Sequence, residues 1–182
     1  MDIKHHWLEE AERIVSPNSD ERPNPGDISL LVIHCISLPP EQFGGPYINQ
    51  LFLNRLDPQQ HPYFAEIHAL RVSAHVLIRR NGSLTQFVPF DRRAWHAGLS
   101  CYRGRERCND FSIGIELEGS VNRRFADRQY DSLIELSKAI MASYPAIGKQ
   151  NIAGHSDIAP GRKQDPGPFF DWPRYLSGLD RA

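Results

Sequence analysis

The sequence predicts a single α/β domain, spanning residues 1–182, with a mixed central β-sheet flanked by helices. Three observations lead to this prediction. A continuous apolar run at Ile28–His34 is typical of a buried strand. An Asn81-Gly82 turn between two strand-like runs indicates an antiparallel hairpin. A strongly amphipathic helix is predicted at Asp127–Tyr144, and a chain of 182 residues suits one domain.

The first half of the chain contains two predicted helices and three predicted strands. The segment Trp7–Ile14 has helical spacing of its apolar residues and ends before a Pro- and Asn-rich stretch. The apolar run that follows places His34 at its C-terminal end, where α/β folds gather their functional sites. A short helix is predicted at Ile48–Leu53. The strand-like runs Ser73–Arg80 and Leu84–Val88 flank the hairpin turn.

The second half of the chain alternates strands and helices. The predicted elements are, in order, strand Phe111–Leu117, helix Asp127–Tyr144, strand Asn151–Ala153 and helix Trp172–Leu179. Glu116 is carried by the first of these strands, and the second strand runs into His155. Pro145 ends the long helix, whereas Asp171 is placed to cap the last one.

The composition excludes several classes of function. The formal net charge of −1 argues against a nucleic-acid or membrane surface, and no apolar run approaches the ~20 residues of a membrane span. The charged N-terminus lacks the apolar core of a secretory signal, so a cytoplasmic protein is expected, by default a monomer. Three cysteines without a Cys-x-x-Cys pair suit a reducing compartment and are expected to be plain thiols. Cys35 adjoins His34, but strand alternation turns its side chain to the other face.

A proline-rich loop near the C-terminus carries many groups that could act in a site. Residues 155–168 are His-Ser-Asp-Ile-Ala-Pro-Gly-Arg-Lys-Gln-Asp-Pro-Gly-Pro. Proline lowers the entropic cost of holding such a loop around a metal ion. Composition alone favours an ordinary charged surface loop instead. No local metal motif links His155 to His34, so their spacing does not establish that they meet.

Most of the eight histidines have an ordinary interpretation. Those expected on the surface, in the exposed terminus or in packing are His5, His6, His61 and His68. His75 lies in a predicted strand and is equally compatible with the core and with a site. His96 and Tyr47 could line a cleft, but the sequence gives them no role.

Six blocks of sequence, spread in order over nearly the whole chain, carry a resemblance to a known family. They are Leu30-Leu-Val-Ile-His-Cys-Ile-Ser-Leu-Pro-Pro, His61-Pro-Tyr-Phe, Arg71-Val-Ser-Ala-His, Arg93-Ala-Trp-His-Ala-Gly, Gly104-Arg-Glu-Arg-Cys-Asn-Asp-Phe-Ser-Ile-Gly-Ile-Glu-Leu-Glu-Gly and Arg162-Lys-Gln-Asp-Pro-Gly-Pro. On these blocks the chain resembles the cytoplasmic branch of the zinc-dependent N-acetylmuramoyl-L-alanine amidases, which is related to phage T7-type lysozyme and the peptidoglycan recognition proteins. Several long blocks in a fixed order are far more specific than any single motif.

The resemblance implies a zinc amidase fold, like that of the peptidoglycan recognition proteins, and a catalytic Zn²⁺ site. Carried over by position, the family's metal ligands fall on His34, His155 and Asp165. Two imidazoles and one carboxylate leave a fourth position open, as catalytic zinc sites require. The family's proposed base falls on Glu116 and its oxyanion-stabilising residue on Lys163. These residue types suit the chemistry, since a carboxylate can move protons and a fixed cation stabilises developing negative charge.

The resemblance also implies a small-molecule substrate. The expected reaction hydrolyses the lactyl amide bond between 1,6-anhydro-N-acetylmuramic acid and L-alanine in cytoplasmic anhydromuropeptides. This is a step of cell-wall recycling that in the family also lowers the β-lactamase-inducing muropeptide signal. Arg71 and Arg107 match positions that grip stem-peptide carboxylates. Ala94 lies in the same region, and Trp95 is expected to face the anhydro-sugar. Two alternatives stay open, namely an amidase acting on intact peptidoglycan and a non-catalytic muropeptide sensor.

Overall fold

The computed structural model describes residues 1–180 of the chain. Within that range the strands are β1 Ile3–Lys4, β2 Trp7–Leu8, β3 Glu12–Arg13, β4 Ser19–Glu21, β5 Leu30–Ile36, β6 Val76–Ile78, β7 Leu84–Gln86, β8 Arg92–Ala94, β9 Cys101–Tyr102, β10 Arg105–Glu106, β11 Ser112–Glu118 and β12 Ile152–Gly154. The α-helices are α1 Tyr47–Phe52, α2 Pro62–Ile67, α3 Asp127–Ser143, α4 His155–Ile158 and α5 Trp172–Gly178. Single turns of 3₁₀ helix lie at Cys108–Asp110 and Lys149–Asn151.

Six strands form one central sheet, in the spatial order β12-β5-β11-β6-β7-β3. Strands β12, β5, β11 and β6 run parallel to one another, whereas β7 pairs antiparallel with β6 across the hairpin. Strand β3 pairs parallel with β7 at the edge. The mixed central sheet flanked by helices that the sequence predicts is confirmed. The predicted domain boundary at residue 182 lies outside the described residues and stays a prediction.

The register of the parallel strands determines which residues meet at their C-terminal ends. Strands β5 and β11 are each seven residues long and almost entirely buried, as expected for the centre of a parallel sheet. Their register pairs His34 with Glu116, and β12 pairs Gly154 with Ile33 of β5. Because parallel strands end at the same edge of a sheet, His34, Glu116 and His155 arrive together there.

The sheet has two different faces. Ile33 and Ile115 pack against α3 residues such as Leu133 in the largest hydrophobic cluster. Side chains two residues apart along a strand share a face, so His34 and Glu116 lie on the side of the sheet away from α3. One face of the sheet therefore provides the core, and the other carries the candidate chemistry.

Most elements predicted from the sequence are confirmed, with ends that shift by at most three residues. The N-cap role of Asp171 is also confirmed, since its carboxylate accepts a hydrogen bond from the N–H of Arg174 at 3.0 Å. The strand predicted at Ser73–Arg80 is shorter than expected, because only three of its residues pair with β7 before the hairpin turn. Helix α4 and the short outer strands were not predicted.

The predicted helix at Trp7–Ile14 is wrong. His5 and His6 both have positive φ, 49° and 66°, and form the tight turn of the β1–β2 hairpin. Strand β3 then extends the central sheet, and the N–H of Ile14 donates to the carbonyl of Gln86 at 3.0 Å. The apolar spacing of this segment fits a helix, but its backbone groups pair with β1 and with the open sheet edge at β7 instead.

The helices are short. The longest, α3, has 17 residues and begins with the charged pair Asp127 and Arg128. Within residues 1–180, no helix combines the length and the apolar character needed to cross a lipid bilayer.

Candidate active site

Three side chains meet at the C-terminal edge of the parallel strands. His34 lies near the end of β5, and His155 is the first residue of α4, directly after β12. Asp165 lies in the loop after α4, and its backbone carbonyl accepts a hydrogen bond from the N–H of Ser156 at 2.9 Å. This bond closes the loop onto the start of α4, so that Asp165 stands beside His155. The three ligand candidates from the sequence are thus brought together.

The contacting atoms form a small triangle. Nδ1 of His34 lies 3.0 Å from Nδ1 of His155, and each nitrogen is 3.1 Å from Oδ2 of Asp165. A tetrahedral zinc ion with bonds of about 2.0–2.2 Å separates its ligand atoms by about 3.3 Å, so the triangle fits such an ion. Two imidazoles and a carboxylate also leave one coordination position open. Among the described residues, this is the one group of His, Cys, Asp or Glu side chains placed to hold a metal.

The protonation states of these groups suit metal binding. Burial lowers the pKa of His34 to about 4, so its imidazole is neutral at pH 7, the form in which histidine binds metals. Burial opposes ionisation of Asp165, but its contacts with His155 and His34 outweigh that effect and hold its pKa well below the ordinary value. The site therefore presents a carboxylate and at least one neutral imidazole at neutral pH.

Glu116 lies beside this triangle. It is the direct register partner of His34, and neighbouring strands lie about 4.8 Å apart. Its Oε2 atom is buried without a hydrogen-bond partner among the described residues. Burial, and next the charge of Asp165, raise the pKa of Glu116 well above its ordinary value, while the charge of Lys163 opposes the shift. A carboxyl group whose pKa is raised holds a proton more strongly than an ordinary carboxyl, so it can return a proton that it has accepted.

A cleft of about 510 Å³ opens in front of these groups. Its polar end includes Glu116, His155, Lys163 and Asp165, and Lys163 stands exposed at the rim. Much of the remaining wall is apolar and consists of Leu38, Pro40, Leu51, Phe52, Tyr63, Ile67, Leu70 and Val72. A concave, largely apolar surface with a few convergent polar groups is the common form of a small-molecule site.

Two of the expected substrate contacts, Arg71 and Trp95, lie beside the metal triangle. They line a smaller hollow of about 180 Å³ together with His155 and Lys163. Arg71 is exposed, and its guanidinium donates one hydrogen bond to the carbonyl of Ala69 at 3.1 Å. Most donors of the guanidinium thus remain available to a ligand. Trp95 is half-buried, so part of its ring is accessible from the hollow.

The other two expected contacts are placed differently. Ala94 lies in β8 with 0% of its surface exposed and packs in a hydrophobic cluster with Phe87 and Leu77. Its methyl group has no surface to offer a substrate, so a contact would have to be made by the backbone, and the role of Ala94 in substrate binding stays a prediction. Arg107 is 72% exposed and pairs with Asp110 at 3.2 Å. It lines a separate hollow of about 430 Å³ rather than the one that contains Arg71.

His96 is the main residue of the site to which the sequence gave no role. Its Nδ1 lies 2.9 Å from Nε2 of His34, and its Nε2 lies 3.1 Å from Oγ of Ser112. Ser112 and Gly114 precede Glu116 at alternate positions of β11 and share its face. Small residues on one face of a central strand indicate that another group approaches closely, and this is the sequence signal that was missed.

Known proteins are similar to this chain in both sequence and fold. The profile of the family described as N-acetylmuramoyl-L-alanine amidase matches residues 24–168. The chain is 62% identical over 178 residues to the 1,6-anhydro-N-acetylmuramyl-L-alanine amidase AmpD of Haemophilus influenzae, with 98% of this chain and 97% of that protein covered. The matched region contains every ligand candidate described above.

Solved structures agree with this comparison. The crystal structure of a selenomethionine derivative of AmpD superposes with a TM-score of 0.96 at 56% identity, over 98% of this chain and 99% of that one. The amidase AmiD of Escherichia coli, in complex with the substrate anhydro-N-acetylmuramic acid-L-Ala-D-γ-Glu-L-Lys, superposes with a TM-score of 0.60 at 32% identity. That match covers 94% of this chain and 60% of AmiD. The fold expected from the resemblance is therefore confirmed.

The raised pKa of Glu116 predicts a pH-dependent loss of stability in the metal-free protein. Below the pKa of an unfolded glutamate, about 4.3, the side chain is protonated in both states and has no effect. As the pH rises, the unfolded state loses this proton first, so the folded state becomes less stable relative to Glu116→Gln. We expect the advantage of Glu116→Gln in urea unfolding with EDTA to be small near pH ~4.5 and larger at pH ~8. An advantage that does not change with pH would contradict the raised pKa.

Proposed function

The chain belongs to the N-acetylmuramoyl-L-alanine amidase family and is an amidase, and we propose that it cleaves anhydromuropeptides with a zinc ion held by His34, His155 and Asp165. The bond cleaved is the lactyl amide between 1,6-anhydro-N-acetylmuramic acid and L-alanine. The triangle of two nitrogens and one oxygen, with sides of 3.0 to 3.1 Å, is the observation that carries the metal assignment. The names of the AmpD relatives and the muropeptide bound to AmiD support the substrate.

Glu116 is the proposed proton carrier. A zinc ion bound at the triangle supplies Lewis-acid chemistry, which polarises a carbonyl group and lowers the pKa of a water molecule to about 7. Glu116 takes a proton from the attacking water. Because the pKa of Glu116 is raised, its carboxyl holds this proton and passes it to the departing alanine nitrogen. The nitrogen then leaves as a neutral amine.

Lys163 is the proposed stabiliser of negative charge. The substrate carbonyl oxygen becomes an oxyanion when water adds to the amide carbon. Lys163 stands at the rim of the cleft that contains Glu116 and Asp165. A fixed ammonium group stabilises this developing charge more than it stabilises the neutral carbonyl of the ground state, which lowers the barrier.

Arg71 and Trp95 are the proposed substrate contacts. Guanidinium groups bind carboxylates through two parallel hydrogen bonds, and the stem peptide of a muropeptide carries such groups. The indole of Trp95 offers a flat apolar surface to the sugar ring. Both residues line the same hollow as Lys163, which supports their contact with one small ligand. Arg107 stays a more distant candidate, since it lines a different hollow.

We further propose a cytoplasmic role in cell-wall recycling. All three cysteines, Cys35, Cys101 and Cys108, are free thiols, a state that a reducing compartment preserves. Removal of the stem peptide from free anhydromuropeptides would also lower the muropeptide signal that induces β-lactamase. A monomeric state stays a prediction.

The reaction predicts specific products. Zinc-loaded protein should split 1,6-anhydro-N-acetylmuramyl-tripeptide into the anhydro-sugar and the free tripeptide, as measured by mass spectrometry. A chelator should abolish cleavage and added zinc should restore it, because the polarising ion is lost and regained. Intact peptidoglycan, assayed in parallel, separates a recycling amidase from a wall-degrading one. Zinc-loaded protein that binds the muropeptide without cleaving it would be a sensor, and would contradict the proposal.

Glu116→Gln should retain zinc but lose about 10²- to 10⁴-fold in kcat, because an amide of the same shape cannot take the proton of water. Metal content and kcat are measured on the same preparation. Glu41→Gln is the matched control, since it removes a carboxylate from another part of the same cleft and should leave kcat close to wild type. Equal losses in the two variants would remove Glu116 from proton transfer.

Lys163→Ala should lower kcat by about 10²- to 10³-fold with little change in zinc content, because the oxyanion loses its fixed cation. Lys163→Arg, which keeps the charge, should lose less. The control is Lys149→Ala, whose ammonium pairs with Asp180 at 2.6 Å outside the cleft lining. Steady-state kinetics that show near-normal kcat in Lys163→Ala would leave Lys163 as an ordinary surface charge.

A further inference from the structure

A hydrogen-bond chain with one possible direction runs from the main chain towards the metal triangle. The carbonyl oxygen of Cys108 can only accept, and it lies 2.6 Å from Oγ of Ser112. The Ser112 hydroxyl therefore donates its single proton there. It must accept the next hydrogen bond, which comes from the Nε2–H of His96 at 3.1 Å. Because a neutral imidazole carries one proton, Nδ1 of His96 is left as an acceptor.

This acceptor faces His34. Nδ1 of His96 lies 2.9 Å from Nε2 of His34, so Nε2 of His34 carries the proton and donates it. Nδ1 of His34, the atom that faces His155 and Asp165, then keeps its lone pair. A metal ion binds only to an imidazole nitrogen whose lone pair is free. The chain of bonds thus selects the tautomer of His34 that can act as a ligand.

Ala97, the residue after His96, also favours a proton on Nε2 of a ligand histidine, in this case His155. Nε2 of His155 lies 3.1 Å from the carbonyl oxygen of Ala97, which can only accept, and 3.4 Å from Nη2 of Arg162, which can only donate. The nearer carbonyl favours a proton on Nε2, which leaves Nδ1 of His155 facing the triangle. The side-chain oxygen of Asn109 accepts the backbone N–H groups of His96 and Ala97, at 3.1 and 2.8 Å. One dipeptide, fixed by Asn109, therefore faces both ligand histidines.

The sheet leaves space for His96 at a single glycine. A Cβ atom on Gly114 would lie 2.5 Å from Cγ of the His96 ring, far inside any normal contact. Gly114 occupies the position of β11 between Ser112 and Glu116 on the site face. The ring of His96 therefore rests directly on the strand backbone, a reason for glycine in the interior of a buried strand.

We propose that His96 is a positioning residue that holds the proton of His34 on Nε2 and thereby presents Nδ1 to the metal ion, an inference that rests on the metal site of the proposed function. Without Nδ1 of His96 as an acceptor, the proton of His34 would find a partner at Nδ1, on the other side of the His34 ring. Oδ2 of Asp165 lies 3.1 Å from Nδ1 of His34 and would bind a proton placed there. That tautomer blocks the coordinating atom, so metal binding would first have to displace the proton.

The first test observes the tautomer in the metal-free protein. Nitrogen-15 NMR of histidine-labelled protein distinguishes an imidazole protonated on Nε2 from one protonated on Nδ1, and His34→Gln assigns the signals of His34. We expect wild-type His34 to be protonated on Nε2. His96→Phe keeps a ring over Gly114 but offers no acceptor, and should move the proton to Nδ1. His96→Asn, whose side-chain oxygen can stand where Nδ1 stood, should restore the wild-type tautomer.

The second test measures zinc affinity by competition with a chromophoric chelator. His96→Phe should weaken zinc binding by about tenfold to a hundredfold, while His96→Asn stays close to wild type. Ser112→Ala removes the hydroxyl that orients His96, and its zinc affinity should lie between the affinities of these two variants. His68→Phe is the control, because His68 lies half-exposed at the end of α2, where its Nδ1 bonds to the Phe64 carbonyl.

The outcomes separate this inference from the proposed function. Wild-type His34 protonated on Nδ1, or unchanged zinc affinity in His96→Phe, would overturn the inference. Equal weakening in His96→Phe and His96→Asn would also overturn it, because packing rather than the acceptor would then govern binding. A wild-type protein that holds the Nε2 tautomer but binds no zinc would overturn the proposed function and leave the tautomer assignment in place.

Discussion

Two imidazole nitrogens and one carboxylate oxygen lie within 3.1 Å of one another at the end of the central sheet. Their lone pairs repel one another unless a cation or a shared proton lies among them. His34 and His155 are almost fully buried, so water screens this repulsion poorly. A divalent ion would relieve it. The remaining structure can be understood as the means of bringing these atoms together and keeping their lone pairs free.

The sheet brings them together through strand register. The pairing of β5 with β11 places Glu116 beside His34. The pairing of β12 with β5 sets Gly154 opposite Ile33, so the next residues of the two chain segments, His155 and His34, lie close together. A slip of one residue would turn His34 to the face that packs on α3 and would destroy the site. Ile33 and Ile115 resist such a slip, because they are buried in the hydrophobic cluster on that face. Core packing on one side of the sheet thus specifies the chemical geometry on the other.

Local patterns predict much of this scaffold. The apolar strand that carries His34, the Asn81-Gly82 turn and the long amphipathic helix each follow from neighbouring residues alone. The segment Trp7–Ile14 was mispredicted, because β2 pairs with β1 across a tight turn and β3 pairs with a sheet edge formed about seventy residues later. The meeting of His34 with His155 joins residues 121 positions apart, and the family resemblance rather than any spacing predicts it. The role of His96 depends on hydrogen-bond directions set by backbone carbonyls, which no sequence pattern contains.

Zinc held by the imidazoles of His34 and His155 and the carboxylate of Asp165 would have a distinctive X-ray absorption spectrum at the zinc edge. For the zinc-loaded protein we expect a shell of nitrogen and oxygen atoms alone, at about 2.0–2.2 Å, with the outer scattering of two imidazole rings. Cys35 directly follows His34 in the chain, so its thiolate is the alternative ligand that the spectrum must distinguish from nitrogen and oxygen. A sulfur neighbour at about 2.3 Å, or a shell without imidazole scattering, would rule out this set of ligands.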